Sequence, residues 1–387
     1  MRESQLITTL RDFTNCLNHR EQIDAILLDF SKAFDKVDHQ ILLSKLYKYG
    51  IRCSILEWLK SFLLNREQTV VVDGSESSPL PVLSGVPQGT VLGPLLFLVY
   101  INDISADLSP GTEIRLFADD SLLYRTIKSP EDGQTLQSDL DTLQLWETAN
   151  KMEFHPGKCE MLRITNIKKP NQIKTDYKIH STTLATTNAA KYLGVTIDPS
   201  LQWNKHHSNI IAKANSTLAF LRRNISSCPR QIKNTCYKTF VRPVLEYGCC
   251  VWDPYHENQI QDLEKIQKRA ARFVTGNFDF THGSTARNLA ELEWPTLAER
   301  RAKIKLNILH KAKLGRLDIP LSDLCSSAPV TRRSSTDFRI PQSQLDSHKF
   351  SYFPNTIRLW NSLPPNIKNI TDSDNFSRAI SNHKVLG

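Results

Sequence analysis

Three features of this sequence could do chemistry together. Asp29 closes a short apolar run, Ala25-Ile26-Leu27-Leu28, that reads as a buried strand. Asp119 and Asp120 lie between the two apolar runs of residues 114–124, a strand–turn–strand pattern with two carboxylates at its tip. Ser84-Gly85-Val86-Pro87-Gln88-Gly89 is a loop punctuated by glycine and proline. Carboxylates on rigid strands are a standard way to hold paired Mg²⁺ ions. Two such ions, about 4 Å apart, can activate a 3′-hydroxyl, stabilise a pentavalent phosphorus and shield a leaving pyrophosphate. Asp29 and Asp119 are 90 residues apart, so adjacent strands of one sheet must bring them together. Taken singly, each also reads as a cap or turn aspartate; the two with the glycine loop favour metal chemistry.

The elements that must position these residues can be read around them. Residues 4–19 carry Leu6, Ile7, Leu10, Phe13 and Leu17 at helical spacing. Asp38 reads as the N-cap of a helix through Tyr49, with Gly50 as its stop. A second helix is expected over 54–64, a strand over 69–72 with a turn at Asp73-Gly74, and an apolar helix over 92–104. Residues 134–150 read as an amphipathic helix, and 162–164 and 191–197 as strands. The first 200 residues thus alternate helices with an antiparallel sheet, an α+β layer. Beyond Asp198 the pattern is helical: 206–224, 229–247 broken at Pro243, 257–275 and 296–314. Residues 318–348 read as a linker, and Phe353, Ile357, Trp360 and Leu363 as a tail that docks back onto the body.

Composition sets the outer bounds. The chain has 387 residues, 40% hydrophobic and 23% charged, which excludes a wholly disordered or fibrous protein. Its longest apolar run, residues 95–101, is far short of the roughly 20 that span a bilayer, and the N-terminus has no signal-peptide pattern. The expectation is an intracellular protein of nucleus or cytoplasm, with no membrane partner. Eight cysteines without a C-x-x-C pair read as free thiols. Residues 1–165 hold 16 Lys+Arg against 23 Asp+Glu, and the remainder 33 against 17. The basic C-terminal part suggests a polyanion, usually nucleic acid, although a merely basic surface gives the same count. Bound metals would offset repulsion between the acidic part and phosphates.

The motifs in series resemble the reverse transcriptase of non-LTR (LINE-type) retrotransposons. Leu28-Asp29-Phe30-Ser31-Lys32-Ala33-Phe34-Asp35 is similar to motif A of that family. The run from Ser84 through Gly89 to Pro94 is similar to motif B, and Phe117-Ala118-Asp119-Asp120 to the motif C box. Gly157-Lys158-Cys159 resembles motif D, and Tyr192-Leu193-Gly194 motif E. The resemblance is close over residues 20–200 and less specific beyond. It implies an α+β right-hand palm with a remnant of the fingers over 1–200. An all-α thumb and basic helical region would follow over 201–317, then a linker and tail over 318–387. Only 28 residues precede Asp29, so the resemblance also implies that most of the fingers and the endonuclease of full elements are missing.

The implied activity is RNA-directed DNA polymerisation, with an RNA template, a DNA primer and deoxynucleoside triphosphates as partners. The alternative is a non-catalytic nucleic-acid-binding remnant. The resemblance makes Asp29 and Asp119 ligands of two Mg²⁺ ions, with Mn²⁺ able to substitute. Asp120 would support them, and the Phe30 carbonyl would complete a metal shell. Phe34, five residues after Asp29, stands at the steric gate that excludes a 2′-hydroxyl; core packing accounts for it equally well. Gln88 would contact the incoming nucleotide or template base, with Gly85 and Gly89 allowing close backbone approach. Lys158 would stabilise or protonate the leaving pyrophosphate, and an exposed surface lysine is nearly as good a reading. Tyr192, Gly194, Arg222 and Arg223, and more weakly Lys265, Lys268, Arg269 and Arg272, would contact the nucleic-acid backbone. Asp35 matches motif A without an assignable role.

Overall fold

The computed structural model describes residues 2–168, 171–319, 321 and 338–386. They pack as two compact units: Glu21–Ala190, and Met1–Arg20 together with Lys191–Gly387. The expected division at residue 200 kept the first 20 residues with the sheet. The first helix, Arg2–Asn18, instead belongs to the second unit, because its apolar stripe finds its partners there.

The unit Glu21–Ala190 is built on a five-stranded sheet. Its order is Ala185–Thr187, Glu160–Thr165, Gln22–Leu28, Asp120–Ile127, Thr112–Phe117. All neighbours are antiparallel except the first pair, which is parallel, so the sheet is mixed at one edge. The central strand carries Ile26 and Leu28 into a core with Leu123 and Met161 from its neighbours. Helices Leu92–Ile101 and Pro130–Ala149 add Leu96, Phe97 and Tyr100, and Leu136, Leu140 and Leu143. The second of these starts before the expected residue 134. Ser129 and Asp132 form a capping box there, and Pro130 fits the first turn.

Between the central strand and the glycine loop lie helices His39–Lys48 and Cys53–Leu63 and a two-stranded arm. The arm pairs Glu67–Gln68 with Leu80–Pro81 and Val71–Val72 with Ser75–Glu76. Asp73 and Gly74 at its tip both have positive φ (50° and 82°), which matches the twist of a tight hairpin. Asp38 caps helix His39–Lys48: its Oδ1 accepts from the backbone N–H of Gln40 (2.9 Å) and Ile41 (3.0 Å), and its Oδ2 pairs with Lys151 at 2.6 Å. Asp38→Ala is expected to cost about 1 kcal/mol in urea unfolding, and Asp38→Asn, which keeps the cap acceptor, much less.

The expected single strand over 191–197 is instead part of a hairpin. Ala190–Tyr192 pairs with Val195–Ile197. Leu193 and Gly194 turn the chain with φ of 45° and 83°, and Leu193 O accepts from the Tyr247 hydroxyl at 2.8 Å. From 201 to 319 regular structure is entirely helical. The expected helix over 229–247 is Arg230–Cys236, a π-helical turn Tyr237–Val241, and Arg242–Glu246. Pro243 has no N–H and cannot continue the ladder. The slip to wider spacing falls just before it, with Arg242 N donating to Tyr237 O.

Helices Leu297–Lys313, Tyr352–Ser362 and Ser373–Asn382 share a core of Leu306, Leu309, Trp360, Leu363, Phe376 and Ile380, so the expected tail is packed. The first helix buries Leu6, Leu10, Phe13 and Leu17. It is tied to the late chain by Gln344 N donating to Asn18 Oδ1 (2.7 Å) and by the His348 ring on Asn15 Oδ1 (3.0 Å). Of the expected linker, residues 320 and 322–337 lie outside the described residues, and 346–349 are helical. Seven cysteines are free, as expected; Cys325 lies outside the described residues. No helix among the described residues is long and apolar enough to cross a membrane.

His206 in the second unit is buried, accepts from Thr196 N at Nδ1 (3.1 Å) and lies edge-on to Trp252. Burial, with His207 beside it, pushes its pKa down to about 4. The unfolded chain therefore binds this proton first, near pH 6.5. The stability tied to neutral His206 is present above that value and is lost as pH falls toward about 4. His206→Asn keeps an acceptor toward Thr196. Urea midpoints measured across this window should fall in the parent and lack this component in the variant.

Candidate active site

Strand register brings the expected carboxylates to one end of the sheet. Leu28 pairs with Ser121 on one side of the central strand. Continuing that register by one residue sets Asp29 beside Asp120. The hairpin closes at Phe117 with Asp120, leaving Ala118-Asp119 as a two-residue turn. Ala118 takes the left-handed φ of 53°, a conformation that costs a non-glycine residue about 1 kcal/mol. Asp119 and Asp120 are exposed, and Asp29 is half-buried.

Asp29 is fixed through its main chain by the segment ahead of strand Glu160–Thr165. Asp29 O accepts from His155 N (2.8 Å), and Asp29 N reaches Cys159 Sγ (3.5 Å). Ser31 N donates to Glu153 O (2.7 Å), and Phe30 forms an isolated bridge with Phe154, their rings stacked at 4.5 Å. The Phe30 ring is therefore core, whatever its carbonyl does. The buried Glu147 carboxylate holds this segment from behind, accepting from Phe154 N and from the His180 ring. Burial raises the Glu147 carboxyl above its ordinary range, against the opposing pull of those two donors. Lys158 comes from the same segment, and its Nζ lies 3.5 Å from Asp29 Oδ1.

The glycine loop is stitched to the turn after Asp29. Gly85 N donates to Val37 O (2.8 Å), Val86 N to Phe34 O (3.0 Å) and Ser84 Oγ to Asp35 O (2.8 Å). The buried His39 ring bonds Gly85 O at 2.8 Å. Gly85 has φ of 90°, and a Cβ there would sit 3.0 Å from Asp35 O. Glycine is required twice over, by conformation and by contact. Gln88 Nε2 donates to Asp35 Oδ1 at 3.0 Å. Asp35, which had no assignable role in the sequence, thus joins the two loops; only its place in the motif could have drawn attention to it. The sequence marks Ser84 only as part of the glycine loop and does not mark His39. The Phe34 ring is half-buried and stacked on Phe97 at 4.4 Å. Gly89 has φ of 79° and open space where a Cβ would go. A groove of about 660 Å³ runs along this junction between Lys32, Asp35, Arg66 and the glycine loop.

The nucleic-acid candidates lie in the other unit. Tyr192 is 3% exposed, its ring is a packing element, and its hydroxyl receives Gln5 Nε2 at 3.5 Å. A Cβ on Gly194 would meet the Tyr247 ring at 2.9 Å. Arg222 and Arg223 are exposed at the end of helix Asn204–Asn224. Lys265 pairs with Asp262, Arg269 with Asn215, and Arg272 lies over Phe280. Residues 21–190 carry a net −5, and the remainder +14.

Among the described residues no three of His, Cys, Asp and Glu form a ready metal cage. The carboxylates nevertheless fit a hard divalent ion. Mg²⁺ is commonly held by one or two carboxylates with substrate phosphates completing its shell. Asp29 Oδ1 is a buried oxygen with no hydrogen-bond partner and only the Lys158 ammonium near it, which suits it to a cation.

A family model described as reverse transcriptase (RNA-dependent DNA polymerase) matches residues 2–197. That is half of the chain, and the chain belongs to this family. It is 28% identical over 288 residues to the probable RNA-directed DNA polymerase from transposon X-element of Drosophila melanogaster, covering 73% of this chain and 31% of that protein. It is 31% identical over 274 residues to the RNA-directed DNA polymerase from mobile element jockey of Drosophila funebris, covering 67% and 29%. These relatives agree with the resemblance to non-LTR retrotransposons. The chain spans less than a third of the length of either. A solved telomerase from Candida Tropicalis gives a TM-score of 0.43 at 9% identity, over 98% of this chain and 52% of that one, too low to bear on the fold.

Proposed function

We propose that this chain catalyses RNA-directed DNA polymerisation, adding deoxynucleotides to a DNA primer on an RNA template. The observation that carries the reading is the strand register that sets Asp29 beside Asp120, with Asp119 in the adjoining turn, next to a glycine loop stitched to the turn after Asp29. Asp29 and Asp119, with Asp120 in support and the Phe30 carbonyl completing the shell, would hold two Mg²⁺ ions or Mn²⁺ in their place. Bound there, such ions supply charge stabilisation for a phosphoryl group in displacement.

The residues of the chain do the rest. The primer 3′-hydroxyl gives up its proton to solvent water as its oxygen bonds to the α-phosphorus, the bond from that phosphorus to the bridging oxygen breaks, and pyrophosphate leaves. Lys158 donates a proton to the leaving group. Phe34, braced on Phe97, blocks a ribose 2′-hydroxyl. Gln88, oriented by Asp35, contacts the nucleotide or template base. The basic unit, through Arg222 and Arg223 among others, holds the template–primer backbone without regard to sequence. We place the palm in residues 21–190 and the thumb in the helices after 201, and the site of action inside the cell, where template and triphosphates are found.

The test is extension of a DNA primer on an RNA template by the purified chain. Extension should need Mg²⁺ or Mn²⁺, follow the template sequence and discriminate against ribonucleotides. A folded, RNA-binding chain that incorporates nothing with either ion would be the non-catalytic binding protein instead.

A further inference from the structure

The Lys158 ammonium and any cation on Asp29 would claim the same oxygen. Its Nζ lies 3.5 Å from Asp29 Oδ1, the one atom of that carboxylate that is buried without a hydrogen bond. The backbone that carries Lys158 is held close to Asp29. Lys158 N donates to His155 O (2.9 Å), His155 N donates to Asp29 O (2.8 Å), and Cys159 Sγ takes Asp29 N. Those three contacts hold residues 155–159 against Asp29. The bridge between Phe30 and Phe154, and Glu147 behind Phe154, hold the segment in turn. A lysine ammonium and a divalent ion carry like charge, so each disfavours the other at one oxygen.

We propose that Lys158 is a resident counter-ion of Asp29 that a divalent cation must displace, so that cation binding and release of the lysine toward substrate are one event. This rests on the reading of Asp29 as a cation ligand. It gives Lys158 two successive partners: the carboxylate first, and the phosphate of the leaving group once the cation is seated. Until the cation arrives, the ammonium neutralises part of the acidic sheet end. Once displaced, it is a free donor. The side chain is 61% exposed, so its exchange of partners needs no unpacking, and its replacement should leave the fold intact.

The experiment measures Mn²⁺ affinity by electron paramagnetic resonance on the full chain, without nucleotide or nucleic acid. It compares the parent with Lys158→Met, Lys158→Arg and Asp29→Asn. Lys158→Met should bind Mn²⁺ about fivefold more tightly, Lys158→Arg should match the parent because the charge is kept, and Asp29→Asn should lose the site. If Asp29→Asn abolishes binding but Lys158→Met is unchanged or weaker, the competition is wrong. If Lys158→Arg tightens as much as Lys158→Met, charge is not the cause and the proposal also fails. If Asp29→Asn binds like the parent, or none of the four binds Mn²⁺, the cation-ligand reading beneath it fails, and the proposal with it. None of these readouts depends on polymerase activity.

Discussion

Asp119→Ala is expected to lower nucleotide incorporation by at least about a thousandfold, the loss of roughly 4 kcal/mol of transition-state stabilisation. Thermal stability and RNA affinity should stay near those of the parent. The expectation follows from where the residue sits. Asp119 is exposed in the two-residue turn of a hairpin, so its removal leaves no cavity and strips no core contact. In the proposed mechanism its contribution is negative charge at the end of the sheet, where Asp29 also lies. Asp29→Asn should act alike, since the amide keeps the shape and loses the charge. Asp120→Ala should cost less, because Asp120 belongs to the strand and supports the site from one residue away. The assay is single-turnover primer extension, with melting curves and RNA binding measured in parallel. Equal incorporation by parent and Asp119→Ala would remove the carboxylates from the mechanism.

Gly93→Ala is expected to destabilise the sheet-bearing unit by about 2–3 kcal/mol, and to lower its melting temperature by roughly 5–10 °C. Gly93 lies in the first turn of helix Leu92–Ile101, directly beneath the end of the glycine loop. A Cβ there would stand 2.4 Å from Pro87 O and 3.2 Å from Thr90 Oγ1. Pro87 O is main chain and cannot rotate away. Thr90 is fixed as well, its hydroxyl donating to Pro87 O (2.7 Å) and accepting from Gly93 N (3.0 Å). The methyl group must therefore lift the loop off the helix, and with it Gln88. Gly89→Ala is the contrast. Nothing stands within 4 Å of its Cβ, and only its φ of 79° opposes the change, for a cost of about 1 kcal/mol. Thermal and urea unfolding of the two variants should separate steric from conformational need. Equal losses would show that the contact at Pro87 is relieved cheaply.

The parts of the site that were legible in the sequence are those with a local signal. Asp29 and Asp119-Asp120 follow apolar runs whose length marks them as strands, and Asp38 and Gly50 punctuate a helix as such residues usually do. The Leu28–Ser121 register is not local, yet the hydrophobic pattern admits few others. What escaped was set by contacts between distant segments. Asp35 has an unremarkable surface pattern, and its part in joining two loops exists only because Ser84 and Gln88 arrive from elsewhere. The apolar run of 191–197 reads as one strand until Leu193 and Gly194 turn. The stripe of helix Arg2–Asn18 says that it packs, but not upon what.

The position of the central strand within the chain has a consequence for how the protein is made. Gln22–Leu28 leaves the ribosome ahead of its two partners, Asp120–Ile127 and Glu160–Thr165, which follow about a hundred residues or more later, on the order of ten seconds of synthesis. During that time the most apolar strand of the sheet has both edges open. Helix Arg2–Asn18 waits longer still, because Gln344 and His348, which tie it down, lie 326 and 333 residues from their partners Asn18 and Asn15. Such long loops slow folding and leave nascent chains prone to aggregate. The chain should therefore depend on chaperones while it is translated, and slower translation between the central strand and the carboxylate hairpin should lower its soluble yield.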